Sequence, residues 1–190
     1  FMYNDDQETP NTLNAAYEFA MPNGKRKMMV FEVRHWISNH EALIGDPSFG
    51  GGEVPVALGD ALAAKAVRKQ FKNTIGNIFY GSQGYMAMNG YDAYRTWLGE
   101  EQEPGPSAAK EGNNWANFIG CVRSRKKENL NAPVAEGHIS CTLVHLANVS
   151  YRLGRTLHFH PTTEQVIGDP EANRMLRGSY RAPYVVPGNV

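Results

Sequence analysis

The chain has 190 residues, of which 42% are hydrophobic and 20% charged, and this length is sufficient for one domain with a buried core. The 19 basic residues balance 19 acidic ones, so no overall field attracts nucleic acid or an anionic membrane. No apolar run approaches the roughly 20 residues of a membrane span. We therefore expect no nucleic-acid and no membrane partner, and a soluble protein of the cytoplasm or the periplasm.

The first predicted element is a β-hairpin. Apolar side chains alternate with more polar neighbours from Leu13 to Phe19, which is the period of a strand. The Asn23-Gly24 pair that follows is a strong hairpin signal, and residues Met28–Trp36 are rich in β-formers. The polar stretch from Phe1 runs directly into this hairpin, as is typical of a piece of a longer protein.

A long glycine-rich loop is predicted over residues 45–59, followed by a helix over Ala61–Phe71 with Asp60 as its N-cap. The triplet Gly50–Gly52 does not form a phosphate-binding motif, because no P-loop Lys-Ser/Thr follows it and GxGxxG is absent. A meander of short antiparallel strands comes next. Its predicted strands are Ile78–Tyr80, Tyr85–Met88 and Tyr91–Leu98, and residues 99–113 are predicted as a loop.

Two helices follow the meander. In the first, Trp115, Phe118, Ile119 and Val122 form one apolar stripe, and Asn113 is the expected N-cap. The basic run "RSRKK" (residues 123–127) suits the negative end of this helix, and we favour that interpretation over an anion-binding site. The second helix is predicted over Glu136–Leu153, with Gly154 after its end.

The tail is predicted as a short strand, Thr156–His160, a short helix, Pro170–Leu176, and an extended end. Because strands come early and helices late, we predict an α+β fold, an open and mostly antiparallel sheet with helices on one face, in a single domain over residues 1–190. The cysteines, Cys121 and Cys141, lack metal-site spacing and lie in apolar helical patterns, so we expect buried free thiols.

Most of the chain resembles the C-terminal domain of the glucose–fructose oxidoreductase / inositol dehydrogenase (Gfo/Idh/MocA) family. The matching pieces include "NFIGCVRSRK", "EGHISCTLVHLANVSYRLGR", "IGDPEAN" and "YRAPYVVP", with "FEVRHW" and "GNIFYGSQGYM" as sheet strands. The resemblance implies a parent protein whose N-terminal Rossmann domain binds NAD or NADP. It also implies that the sheet of this domain helps to form the substrate pocket or an oligomer interface.

The departures from the family pattern concern catalysis. The chain has neither the glycine fingerprint nor the Glu-Lys-Pro motif in which the family keeps a catalytic lysine. The family's Asp and His, one helical turn apart, lie on a helix before the first sheet strand, and nothing before Thr12 fits that helix. We therefore expect no catalytic residue, no bound cofactor and no metal in this chain, which alone should be inactive.

Arg34, His35 and Trp36 are the predicted substrate-binding residues, because they end a strand before the long glycine-rich loop. An arginine can pair a carboxylate or a sugar hydroxyl, and a tryptophan can stack on a sugar face. The alternative is that these side chains cover a sheet edge. His158 and His160 lack a third ligand, and we expect them to decorate a strand rather than to bind metal.

Aromatic residues alternate in "YDAYRTW" (residues 91–97), and we favour a sheet face packed on helices or on a partner subunit over a sugar platform. If exposed, such a sheet face would form a homo-oligomer. Three functions remain open. The first is the substrate-binding and oligomerisation domain of an NAD(P)-dependent dehydrogenase that acts on a sugar or polyol. The second is a domain of an NAD-dependent glycoside hydrolase, and the third is a non-catalytic association module.

Overall fold

The computed structural model describes residues 6, 8–34, 42, 44, 75–109 and 112–186. These residues form eight strands, three α-helices and one short 3₁₀-helix. Contacts divide the chain into two compact units, one with the described residues of 11–13 and 32–116, the other with those of 14–31 and 117–186. The predicted loop over 45–59 and the predicted helix over 61–71 lie outside the described residues.

The predicted hairpin is confirmed. It consists of β1 (Thr12–Ala20) and β2 (Arg26–Arg34), which form a two-stranded sheet. In its turn Gly24 has a φ of 73°, which the absence of a Cβ permits, and the Met21 N–H donates to the Lys25 carbonyl oxygen at 2.9 Å. The strand begins two residues before the predicted Met28.

A four-stranded antiparallel sheet follows the chain order. Its strands are β3 (Gly76–Gly81), β4 (Gly84–Asn89), β5 (Ala93–Leu98) and β6 (Glu103–Ala109). One face of this sheet carries a small core of Ala87, Ala93 and Ile44, against which Ile78 and Trp97 pack. The predicted meander is thus confirmed for its first three strands.

The fourth strand corrects the predicted loop over residues 99–113. Pro104 and Pro106 suggest a loop because proline cannot donate to a strand ladder, but it is tolerated on an edge strand. The Thr96 hydroxyl donates to the Pro106 carbonyl oxygen at 2.6 Å, and the register shifts between Arg95 and Trp97. This bulge lets a proline-containing strand pair with β5.

Both predicted helices are present, as α1 (Asn114–Ser124) and α2 (Val134–Leu153). The Asn113 side-chain oxygen accepts a hydrogen bond from the Ala116 N–H at 2.9 Å, which confirms the N-cap. Gly154 is left-handed and its N–H bonds to the last-turn carbonyls of α2, as predicted. A 3₁₀-helix, Lys127–Asn129, follows α1, and its first residue is the last residue of the basic run.

The apolar stripe of α1 is exposed in the structure, with 82% of Trp115 accessible, whereas Cys121 is the buried residue of this helix. The prediction of an apolar face is therefore right, but that face does not enter a core among the described residues. Both cysteines are free thiols as expected, although Cys141 is exposed.

The C-terminal segment forms a second core. The strands β7 (Phe159–His160) and β8 (Gln165–Val166) pair, and α3 (Pro170–Met175) follows them. Val149 of α2, Val166 of β8 and Ala172 of α3 are buried together.

The hydroxyl of Tyr17 in β1 donates to the Leu143 carbonyl oxygen of α2 at 2.8 Å, and burial raises the pKa of this phenol. Antiparallel sheets and helices together confirm the α+β class.

Candidate functional site

Arg34 is the last described residue of β2, and its guanidinium pairs with the Glu32 carboxylate. The two residues are two positions apart in a strand, so their side chains share a face. About a third of each side chain is exposed. The pair offsets the arginine charge and so presents hydrogen-bonding groups with little net charge, which suits a polyhydroxyl ligand as well as an anion. His35 and Trp36 lie outside the described residues.

The rest of β2 has an apolar, exposed surface next to this pair. Met28 is 71% exposed and Val30 is 66% exposed, and both share the Arg34 face by strand alternation. At the other end of the hairpin, Arg26 forms an ion pair with Glu18 at 2.9 Å. The Arg34 side chain therefore lies at one end of an apolar strip, an arrangement typical of a site that holds the carbon skeleton of a ligand and fixes its polar groups.

The four-stranded sheet has two different faces. The register aligns Phe79, Met86 and Thr96 in one row and Met88 and Tyr94 in the next, all on the face opposite the core. Phe79 is 51% exposed, and Leu98 on the same face is 43% exposed. We call this surface the open sheet face. Its members are Phe79, Met86, Met88, Tyr94, Thr96 and Leu98.

The three aromatic residues of the segment 91–97 do not lie on one face of the sheet. The predicted aromatic surface requires a common face. Trp97 lies on the core side, where it stacks on Tyr85 with ring centroids 4.9 Å apart. Tyr94 lies on the open sheet face, and Tyr91 lies in the turn before β5. Their spacing of three residues alternates sides in a strand, so the open sheet face is formed instead by residues of three strands.

The histidines of the tail make local contacts. The ring Nδ1 of His160 lies 3.3 Å from the Thr163 N–H, and the carbonyl oxygen of His158 accepts from Ile167 at 2.7 Å. The ring Nε2 of His138 in α2 lies 2.7 Å from Oε1 of Glu164. Among the described residues, no three potential ligands of the His, Cys, Asp or Glu types are grouped as a metal site.

An ion-pair cluster that the sequence does not reveal joins the end of α2 to the start of α3. Arg155 binds Asp169 through two hydrogen bonds of 2.9 Å and Glu171 through one of 2.7 Å. Hydrogen bonds from Arg155 and from the Ala172 N–H lower the pKa of Asp169 from 3.8 to about 2, and the two carboxylates raise the pKa of Arg155. Only the aspartate-proline N-cap signal at Asp169-Pro170 points to this place in the sequence.

The described part of the chain contains no helix whose length and apolar character are sufficient for crossing a membrane.

A comparison with known protein families matched residues 87–186 to the C-terminal α/β domain of the Gfo/Idh/MocA oxidoreductase family. Neither the curated proteins nor the solved structures gave a match. The matched segment begins in β4 and extends through β5, β6, both long helices and α3, so it covers more than half of the chain. The chain therefore belongs to this oxidoreductase family, as its C-terminal α/β domain.

Proposed function

We propose that the chain is the substrate-binding and oligomerisation domain of an NAD(P)-dependent oxidoreductase that acts on a sugar or polyol. The observation that carries this proposal is the family match over residues 87–186. The sugar and inositol oxidoreductases that give the family its name support the substrate class. The polar pair of Arg34 and Glu32 beside an apolar strip is consistent with a ligand of that chemistry.

The described residues do not fit a dinucleotide. A nicotinamide dinucleotide binds where a glycine-rich turn joins a strand to a helix N-terminus. Here α1 follows Asn113 and α2 follows Pro133, and neither start carries such a turn. We therefore assign NAD or NADP to a separate N-terminal Rossmann domain of the full-length protein, and this chain supplies groups that position the substrate.

The proposed role of Arg34, with His35 and Trp36 after it in the chain, is to hold the hydroxyl groups and the ring of the substrate. A guanidinium held by a carboxylate has a fixed orientation, which lets it donate to hydroxyl oxygens in one geometry. No residue of this chain is assigned a role in proton or hydride transfer.

The test is an assay of the full-length protein with NAD and with NADP against sugars, polyols and glycosides. We expect net formation of reduced cofactor with at least one sugar or polyol. Release of free sugar from a glycoside without net reduced cofactor favours the NAD-dependent hydrolase instead. Neither product, with an intact fold, favours a non-catalytic association module.

The open sheet face supports the oligomerisation part of the proposal. Its residues are mostly apolar and partly exposed, with Phe79 and Leu98 the most accessible, and a surface of this kind is typical of a contact between copies of a chain. A charge at its centre, Met86→Glu, should remove the contact through this face and so lower the sedimentation coefficient of the oligomer in sedimentation velocity. Met175→Glu on α3, where 37% of the side chain is exposed, is the matched control and should leave the oligomer intact.

A further inference from the structure

The two edge strands of the four-stranded sheet differ in their capacity to accept another strand. β6 carries Pro104 and Pro106, which lack an N–H group and so interrupt any further ladder. β3, with the sequence GNIFYG, contains neither proline nor a charged residue. Natural proteins protect edge strands with such residues, and of the two described edge strands β6 carries them whereas β3 does not.

The backbone of β3 directs half of its hydrogen-bonding groups away from β4. The Ile75 carbonyl oxygen accepts from the Gly90 N–H at 2.7 Å, so odd-numbered residues of this strand face β4. The N–H and C=O groups of Gly76, Ile78 and Tyr80 consequently point to the outer edge. Within the described part of the chain, β3 is the terminal strand of the sheet, and no strand pairs with this edge.

The side chains of β3 are exposed on both faces of the same edge. On the core side, a row of stacked rings runs from Trp97 through Tyr85 to Tyr80, whose centroid lies 6.2 Å from that of Tyr85. The row ends at Tyr80, which is 79% exposed. On the open sheet face, Phe79 is the outermost side chain and half of it is exposed. The edge therefore combines apolar surface with backbone groups that no described strand pairs with.

We propose that β3 pairs in antiparallel orientation with β3 of a second copy of this chain, about a two-fold axis perpendicular to the sheet. The pairing joins two sheets into one continuous sheet. Since the even-numbered residues carry the outward groups, Ile78 bonds with the partner's Tyr80, and Phe79 lies opposite the partner's Phe79 on the axis.

A second copy is the occupant that the strand itself favours. An antiparallel pair of identical strands is self-complementary, and an uncharged strand does not repel its own copy. Tyr80 and Phe79 bury their exposed rings in the same contact. One pair of six-residue strands buries less than the roughly 1,600 Å² of a standard interface, so we expect dissociation constants in the micromolar range.

The test is hydrogen exchange of single backbone amides in the full-length protein across a concentration series, with sedimentation velocity on the same samples. We expect protection of the Ile78 and Tyr80 amides to increase as dimer forms. The Phe79 amide faces β4 and should be protected at every concentration. Protection of Ile78 and Tyr80 in the monomer means that the chain itself closes this edge, and no protection in the dimer means that another surface associates. Either result overturns the proposal.

Two lysine variants test whether the chains associate through the β3 edge rather than through another surface. Tyr80→Lys places a charge at the edge of β3 and should weaken the association at least tenfold. Ser107→Lys places the same charge on the exposed edge strand β6, on the same side of the sheet as Tyr80, and should have no effect. This contact does not depend on the proposed function. Met86→Glu removes a contact through the open sheet face but should leave the concentration-dependent protection of Ile78 and Tyr80 unchanged.

Discussion

The guanidinium of Arg155 binds the carboxylate of Asp169 through two parallel hydrogen bonds, from Nε to Oδ2 and from Nη2 to Oδ1, each of 2.9 Å. The other function of Asp169 is to cap α3, since Oδ1 also accepts from the Ala172 N–H at 3.0 Å. One carboxylate thus fixes the residue that follows α2 to the first turn of α3. Val149 and Ala172, on the same two helices, belong to one buried apolar cluster.

Two substitutions at Asp169 should separate its two functions. Asparagine is as good an N-cap as aspartate but cannot form the ion pair, whereas alanine removes both. We expect the midpoint of thermal unfolding to fall from wild type to Asp169→Asn and further, by several degrees in total, to Asp169→Ala. Equal midpoints for wild type and Asp169→Asn would mean that the ion pair contributes nothing, and equal midpoints for the two variants would mean that the cap contributes nothing.

The pH dependence of stability should show the same ion pair. Its hydrogen bonds lower the pKa of Asp169 from 3.8 to about 2 in the folded state, so the unfolded chain takes up a proton first as the pH falls. The stabilisation is complete above pH 3.8 and is lost as the pH falls through about 2. The difference in unfolding midpoint between wild type and Asp169→Asn should therefore shrink across that window, measured by circular dichroism. A constant difference would contradict the assignment.

The side chain of Asn173 should contribute more to stability than that of Asn117, although both bridge backbone groups. Asn173 donates to the Val166 carbonyl and accepts from the Val166 N–H, both at 2.8 Å, and Val166 is buried. Asn173→Ala leaves both groups unsatisfied away from water, so we expect a loss of about 1–3 kcal/mol in the free energy of unfolding.

Asn117 makes the matched exposed bridge. It donates to the Asn129 carbonyl at 2.8 Å and accepts from the Asn131 N–H at 2.9 Å. Water can replace these bonds, so Asn117→Ala should cost less than about 1 kcal/mol in urea-induced unfolding. A larger loss from Asn117→Ala than from Asn173→Ala would show that burial does not decide the difference.

Substitution by alanine should destabilise the protein at Gly84 and stabilise it at Gly120. Gly84 has a φ of +146°, and a Cβ there would lie 2.0 Å from the Trp97 carbonyl oxygen, which is backbone and cannot move aside. Gly84→Ala should therefore disrupt β4 and β5. Gly120 is in α1 with nothing near a Cβ, so Gly120→Ala should stabilise the protein by about 0.5–1 kcal/mol. The midpoints of thermal unfolding of the two variants, compared with that of the wild type, test both predictions.

Short-range signals predicted much of this fold. Asn23-Gly24, the Asn113 cap and Gly154 act through their own backbone conformations and nearest neighbours, and each appears where the sequence places it. The strand β6 was missed because its prolines argue against a strand, and only the bulge and the partner strand β5 reveal why they are tolerated.

The composition of the candidate sites depends more on contacts between residues distant in sequence than the positions of the strands and helices do. Strand alternation puts Arg34 and Glu32 on one face of β2, so their pairing follows from local sequence. The open sheet face combines residues of three strands, so its composition follows from a register that the sequence alone does not fix. Likewise, Arg155 and Asp169 are 14 residues apart and meet only because α3 packs on α2.

Arg34 and Arg26 offer a matched comparison for substrate binding, since both lie in β2 and each pairs with a glutamate. If Arg34 positions a sugar or polyol, Arg34→Ala in the full-length enzyme should raise KM about tenfold with a smaller change in kcat, because it removes a contact made in both ground and transition states. Arg34→Lys should recover only part of the loss, since a lysine lacks the planar fork of donors.

Arg26→Ala, at the turn end of the strand, should leave both constants unchanged, because the Arg26 side chain is 70% exposed and lies eight residues from Arg34. Steady-state kinetics with the substrate found by the cofactor-reduction assay provides the measurement. Thermal unfolding of each variant shows whether the fold is intact. An unchanged KM for a folded Arg34→Ala enzyme would remove Arg34 from the substrate site and assign its ion pair with Glu32 to the stability of β2.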